Sequence, residues 1–212
     1  MSEISDQLIP WQTKFGRNNL PWQSTINPYL VWVSEVMLQQ TRVETVISYW
    51  HAWMQAFPSV KDLASATQDE VNAKWSGLGY YRRARALREG AEKILVEYEG
   101  QVPNTKEKLL TIPGIGPYTA GAISSIAFGN DDPIVDGNVI RVFSRLRAIC
   151  RPPEASVAAT EKIYWSLAAD IVAGVTQAGD LNQAIMELGA TVCKPTSPSC
   201  SSCPVQSCCR AY

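Results

Sequence analysis

The chain has 212 residues, 46% hydrophobic and 18% charged, which suits one large domain or two small lobes with a real core and excludes a disordered segment. Nineteen Lys and Arg against twenty Asp and Glu give a net charge of −1, which argues against a non-specific DNA coat without excluding a local basic face. No apolar run reaches the roughly 18 residues of a membrane span, and the stretch MSEISDQLIPWQTKF lacks the basic and apolar regions of a secretory signal. The expected location is therefore intracellular, cytoplasmic and nucleoid-associated in a prokaryote.

The pattern is helical nearly throughout. Ile4, Leu8, Trp11 and Phe15 recur at helical spacing, and Gly16 ends that run. Leu20-Pro21-Trp22 predicts a turn. Pro28 can start a helix carrying Tyr29, Trp32, Val33, Val36 and Met37, ending near Gln39-Gln40-Thr41. Residues 43–57 repeat the pattern with Val46, Ile47, Trp50 and Trp53, and Pro58 stops it. Thr67 with Glu70 predicts a capping box opening a short helix to Trp75. Gly77-Leu78-Gly79 is a break, after which Tyr81, Ala84, Leu87, Ala91 and Ile94 define a long helix.

Residues 109–138 then run through an apolar stretch, a turn at Pro113-Gly114-Ile115-Gly116, and a small-residue helix from Pro117 to Gly129. They close on Ile134-Val135-Asp136-Gly137-Asn138. Helices are expected over 139–149 and 157–172, with Arg151-Pro152-Pro153 as the nearest thing to a linker. Asp180, with Gln183 three residues on, is expected to cap a last helix over 181–192. No stretch alternates with period two for long enough to form a sheet. The expected fold class is all-α.

Five features carry chemistry. The glycine turn lacks the third Gly of a dinucleotide fingerprint (Thr119 stands there) and the Lys of an ATPase loop. Two readings remain: backbone N–H groups at a helix start that grip a phosphate, or a tight connection between packed helices. Cysteines crowd the C-terminal end as Cys193-x6-Cys200-x2-Cys203-x5-Cys209, four thiolates that fit a zinc ion or a [4Fe–4S] cluster. The single short spacing and long outer gaps lean toward the cluster, and Cys208 can replace Cys209 on spacing alone. Glu35 lies in Val33-Ser34-Glu35-Val36-Met37. It is either solvent-facing or desolvated, and desolvation would fit a carboxyl for general-acid work. Asp136 before Gly137 reads as a turn residue or as the second carboxyl that acid-assisted glycosidic cleavage requires. Tyr80 and Tyr81, followed by Arg82, Arg83, Arg85 and Arg88, read either as a wedge into stacked bases with phosphate contacts, or as one buried tyrosine and a solvated basic face.

Taken together and in order, Ser34-Glu35-Val36-Met37-Leu38-Gln39-Gln40-Thr41, Gly77-Leu78-Gly79-Tyr80-Tyr81, Ile112-Pro113-Gly114-Ile115-Gly116, Asp136-Gly137-Asn138-Val139 and the cysteine spacing resemble the helix-hairpin-helix DNA glycosylases, within them the adenine-specific MutY type. The resemblance covers essentially the whole chain. It implies an endonuclease III-like fold of two helical lobes: a six-helix barrel over 28–135 with the helix-hairpin-helix at about 105–128, and a lobe of 1–27 and 136–212 with a [4Fe–4S] cluster loop at 193–209. Active-site residues then come from the cleft between the lobes.

The resemblance assigns Glu35 to protonate adenine, chiefly at N7, and Asp136 to stabilise the oxocarbenium-like sugar or attack it transiently. Asn138 positions the water or the carboxylate, and Tyr118 lies beside the reacting centre. Leu20, Trp22 and Gln183 line the flipped-base pocket. Gln40 and Tyr80 insert into the DNA stack as wedges, Gln39, Thr41, Arg82, Gly114 and Gly116 contact DNA, and Cys193, Cys200, Cys203 and Cys209 hold the cluster. Bifunctional relatives carry a lysine where Tyr118 stands, and a tyrosine cannot form an imine. The implied activity is monofunctional base excision from adenine:8-oxoguanine or adenine:guanine mispairs in double-stranded DNA, by a monomer. The competing readings are a bifunctional glycosylase/lyase of the endonuclease III type and a non-catalytic iron–sulfur DNA-binding protein. The adenine branch normally continues into a domain that helps recognise 8-oxoguanine. This chain stops at Tyr212, as expected of a catalytic fragment or a naturally short form.

Overall fold

The computed structural model describes residues 2–23, 26–150 and 156–212; the Arg151-Pro152-Pro153 linker lies outside them. The described residues are helical with no strand, as an all-α fold requires. They divide into two compact units, Asn19–Phe128, and Met1–Asn18 with Gly129–Tyr212.

The unit Asn19–Phe128 is built on α2 (Pro28–Leu38). Asn27 caps it by accepting from the backbone of Tyr29 and Leu30, and Pro28 costs its first turn no hydrogen bond. Val31, Trp32, Val33, Val36 and Met37 are all buried, so α2 runs through the core instead of lying on it. Around it come α3 (Val43–Ala56), α4 (Val60–Ser65), α5 (Gln68–Trp75) and α6 (Arg82–Glu97). Trp53 meets Phe57 and Trp75 edge-on at 5.0 and 5.5 Å. The capping box forms as expected: Glu70 N donates to Thr67 Oγ1, and Thr67 N to Glu70 Oε2 at 2.8 Å. Helix α4 was not expected from periodicity. Six residues are too few to show a period, and its only start signal is Ser59, which accepts from Asp62 N. The hairpin follows as α7 (Lys106–Leu109) and α8 (Pro117–Ala122), with α8 widening into a π turn at Ile123–Ala127.

The other unit packs α1 (Ser2–Phe15), α9 (Gly137–Leu146), α10 (Val157–Val172) and α11 (Ala178–Thr191). Its core includes Ile4, Leu8, Val139, Phe143, Leu181 and Leu188. Arg17 ties the end of α1 to α11 through a bidentate pair with the buried Glu187, at 2.9 and 2.7 Å. Two helix ends differ from expectation. Helix α11 begins at Ala178, three residues before Leu181, and Asp180 sits inside its first turn, accepting from Gln177 Nε2 instead of capping. Helix α9 stops at Leu146, before Ile149, because Ala148 turns left-handed (φ 51°) and Ile149 N closes back onto Ser144 O.

Gly90 on α6 shows how tightly the first unit is packed. A Cβ there would lie 2.9 Å from the ring of Trp32 on α2 and from Ile112 Cγ2 in the hairpin turn, all fully or nearly fully buried. Gly90→Ala is expected to destabilise by about 1–3 kcal/mol through overpacking, measured by chemical denaturation.

Candidate functional site

Glu35 lies on α2 and is 8% exposed, so of its two readings the desolvated one holds. Tyr118, the second residue of α8, donates its hydroxyl to Glu35 Oε2 at 2.6 Å. The helix-starting pair Gly116-Pro117 aims Tyr118 there, and the buried small residues Thr119, Ala120, Gly121 and Ala122 leave room for α8 beside α2. One turn further along α2, Gln39 Nε2 reaches Thr119 Oγ1 at 3.5 Å. Residues about eighty positions apart in sequence thus meet across two helices.

Gln40 and Tyr80 both adopt left-handed backbone, φ 55° and 49°. Tyr80 and Tyr81 are 55% and 47% exposed, so neither is the buried tyrosine of the alternative reading. The four arginines behind them divide. Arg82 and Arg85 are exposed. Arg88 donates to Ala66 O at 2.7 Å and pairs with Glu92. Arg83 is buried and bonds the carbonyls of Val36 (2.9 Å), Met37 (3.2 Å) and Leu78 (3.1 Å), and that of Gln39. Arg83 was not distinguished from its neighbours in the sequence; its one signal is a place on the apolar side of α6, between Ala84 and Gly79.

In the hairpin turn, Gly114 has φ 78°, and a Cβ on it would fall 2.6 Å from Ala86 Cβ. Glycine is required there on both counts. Gly116 has open space around it and caps α8 with exposed backbone. Leu20 is half-buried, and Trp22 is 7% exposed and packed on Trp50 at 6.3 Å between centroids.

In the second unit, Asp136 is the N-cap of α9. Its Oδ1 accepts from Val139 N at 2.7 Å and its Oδ2 from Asn138 Nδ2 at 2.9 Å. Asn138 Oδ1 accepts in turn from Arg141 Nη2 at 2.7 Å, and Arg141 also donates to the carbonyls of Gly189 (2.7 Å) and Cys193 (2.8 Å). A Cβ on Gly189 would lie 2.7 Å from Asn138 Cβ, so only glycine lets α11 come this close to the start of α9. Arg141 was not anticipated; its place three residues after Asn138 on a helix is the pattern that could have found it. Gln183 is half-buried on α11 and donates to Gly179 O at 3.4 Å.

Cys193, Cys200, Cys203 and Cys209 line one cavity of about 190 Å³, together with Arg145, Val192, Pro198, Ala211 and Tyr212. Cys208 is not part of that lining; its thiol donates to Val205 O at 3.4 Å. Burial pushes the Cys203 thiol up, and the nearby Cys193, Cys209 and Cys200 push it further. No three His, Cys, Asp or Glu side chains among the described residues gather around a single point as one metal ion would need. Four thiolates on one tetrahedral zinc sit about 3.8 Å apart. The four cysteines around this cavity could supply four thiolates to a metal ion or a cluster. Arg145 Nη1 donates to Cys193 Sγ at 3.4 Å and to Lys194 O at 2.7 Å, fixing the first cysteine and its loop.

Known proteins resemble this chain in sequence and in fold. A mouse adenine DNA glycosylase is 52% identical over 221 residues, covering all of this chain and 42% of the relative. The chain spans about two fifths of the length of the curated mammalian relatives it matches. A thermostable thymine-DNA glycosylase structure is 25% identical at TM-score 0.86, covering 100% of this chain and 97% of that one. A structure of a non-covalent endonuclease III–DNA complex, 23% identical at TM-score 0.77 with 99% and 95% covered, shares the fold. Residues 33–167, well over half of the chain, match the HhH-GPD superfamily base excision DNA repair protein, and the chain belongs to that superfamily.

Proposed function

We propose that the chain is the catalytic part of a monofunctional adenine DNA glycosylase, acting inside the cell on adenine opposite 8-oxoguanine or guanine in duplex DNA. The observation that carries the reading is the Tyr118–Glu35 hydrogen bond at 2.6 Å, on a carboxyl that is 8% exposed. The 52% identity with an adenine DNA glycosylase over the whole chain supports it. The phenol holds the carboxyl in place through its Oε2. A base inside a duplex must be extruded before it can be reached. Glu35 then gives its proton to adenine N7, the C1′–N9 bond breaks with its electrons going to the base, and the sugar becomes an oxocarbenium-like cation. Asp136, held by Val139 N and Asn138, supplies the fixed anion for that cation. Water adds to C1′ and returns a proton to Glu35. Tyr118 has no amine to form an imine, so the strand stays intact.

Gln40, Tyr80, Arg82, Thr41 and the hairpin glycines fit the role of DNA contacts, and Leu20, Trp22 and Gln183 that of the base pocket. Cys193, Cys200, Cys203 and Cys209 would hold a [4Fe–4S] cluster. When bound, such a cluster cross-links the 193–209 loop and offers a one-electron couple.

A single-turnover assay on duplexes with adenine opposite 8-oxoguanine, guanine and cytosine tests the activity. Abasic product from the first two is expected, and its absence with cluster-loaded protein would overturn the reading. Glu35→Gln is expected to slow base release by roughly 10²–10⁴-fold, and near-native release would remove Glu35 from the acid role. Borohydride should trap no covalent adduct; a trapped adduct would point to a lyase. For the cysteines, about four irons and four sulfides per chain are expected. Cys209→Ala should lose them and Cys208→Ala should retain them, whereas one zinc and no iron would reject the cluster.

A further inference from the structure

We infer that Arg83 is a positioning residue that sets Gln40 and Tyr80 as one unit, so that both insert into DNA together; this rests on the reading of those two residues as wedges. The guanidinium lies between two loops. On one side Nη1 bonds the carbonyls of Val36, Met37 and Gln39, and Nη2 reaches Thr41 Oγ1 at 3.4 Å, so its contacts bracket Gln40. On the other side Nη2 bonds Leu78 O at 3.1 Å and Gly79 O at 3.3 Å, and the guanidinium carbon sits 5.6 Å from the centre of the Tyr80 ring. Arg83 N also bonds Tyr80 O at 2.9 Å. The opposite support is Trp75, whose ring centre is 5.1 Å from the guanidinium and whose Nε1 donates to Gly79 O at 2.9 Å.

Two observations make this more than a structural bridge. Gln40 and Tyr80 are non-glycine residues in left-handed backbone, a conformation that persists only where the surroundings over-determine it. Both are exposed, so packing of their own side chains does not hold them there. What holds them is the backbone on either side, and the shared partner of both stretches is Arg83. A planar fork with five N–H groups can span two loops at once, whereas the point charge of a lysine cannot. The two wedges, some forty residues apart in sequence, therefore share one orientation.

The test is a set of single-turnover base-release measurements on an adenine:8-oxoguanine duplex, paired with 2-aminopurine fluorescence at the adenine position to read base extrusion. Arg83→Lys, with native circular dichroism, is expected to slow release and extrusion by roughly 10- to 100-fold, the scale of a small misplacement. In a Gln40→Ala/Tyr80→Ala background the same change should add almost nothing, because Arg83 acts through those residues. Guanidinium ion added to Arg83→Gly should restore part of the loss. An Arg83→Lys effect that is fully additive in the wedge-less background, or absent in the native one, would overturn the proposal. If Arg83→Lys does not fold, Gln40→Ala and Tyr80→Ala in the native protein decide: strong non-additivity is expected, and simple additivity overturns the coupling. Should both alanine variants extrude and release base normally, the wedge reading itself fails, which the additive outcome would leave standing.

Discussion

A helix that runs through a core has to end, and the carbonyls of its last turn have no partner within the helix. Helix α2 has this problem acutely, since its last turns are buried: Val36 is 4% and Met37 0% exposed. The guanidinium of Arg83, carried in from α6, takes up the carbonyls of Val36, Met37 and Gln39. An unmet buried acceptor costs about 1–3 kcal/mol, so several at one helix end would be a large share of a domain's stability. With that end satisfied, α2 can carry a buried Glu35 about one turn from a loop that reaches solvent. The same charge closes the loop after α5, and this is how a stability requirement and the shape of an exposed face become one interaction.

Close approach is the second constraint. Gly90 lets α6 touch Trp32, Gly114 lets the hairpin turn sit on Ala86, and Gly189 lets α11 reach Asn138. In each case a single methyl would intrude on a neighbour by several tenths of an ångström or more. Polar groups are then placed by backbone proximity. Tyr118 meets Glu35 because the four residues after it are small and buried, and Arg141 meets Asn138 and Gly189 O together because α9 and α11 nearly touch.

Long amphipathic or apolar helices were legible in the sequence, because caps and spacing agreed: Asn27-Pro28 before α2, and Thr67 with Glu70 before α5. The cysteine set was legible as a group, and its fourth member, left open between Cys208 and Cys209, needed three dimensions: a one-residue difference decides which thiol lines the cavity and which bonds Val205 O. Short helix α4 was not legible, since six residues show no period. Asp180 misled because a capping residue and a first-turn acid look alike on paper; both favour a helix N-terminus, for different reasons. Glu35 was undecidable from its apolar neighbours alone, because α2 is buried on most faces and offers no polar side to orient it. Arg83 and Arg141 left only faint local signals, a place on the apolar side of α6 and one three residues after Asn138, because the distant carbonyls they bond leave no mark in nearby sequence.

Those arginines also change what the composition means. Nineteen basic residues against twenty acidic ones suggest a surface with little to offer a polyanion. The structure makes the supply smaller still: Arg17 pairs with Glu187, Arg88 with Glu92 and Ala66 O, and Arg83, Arg141 and Arg145 donate mainly to carbonyls, with Thr41, Asn138 and Cys193 side chains taking further bonds. A chain of this kind cannot grip a duplex mainly by counterion release from a basic coat. On the proposed reading, the contacts to DNA draw on what stays outside these pairs, among it the exposed Arg42, Arg82 and Arg85, the exposed turn at Gly114 and Gly116, and the aromatic face of Tyr80. Recognition on that reading would depend on the shape of a locally opened duplex as well as on its charge, as extrusion of one base from a stack requires.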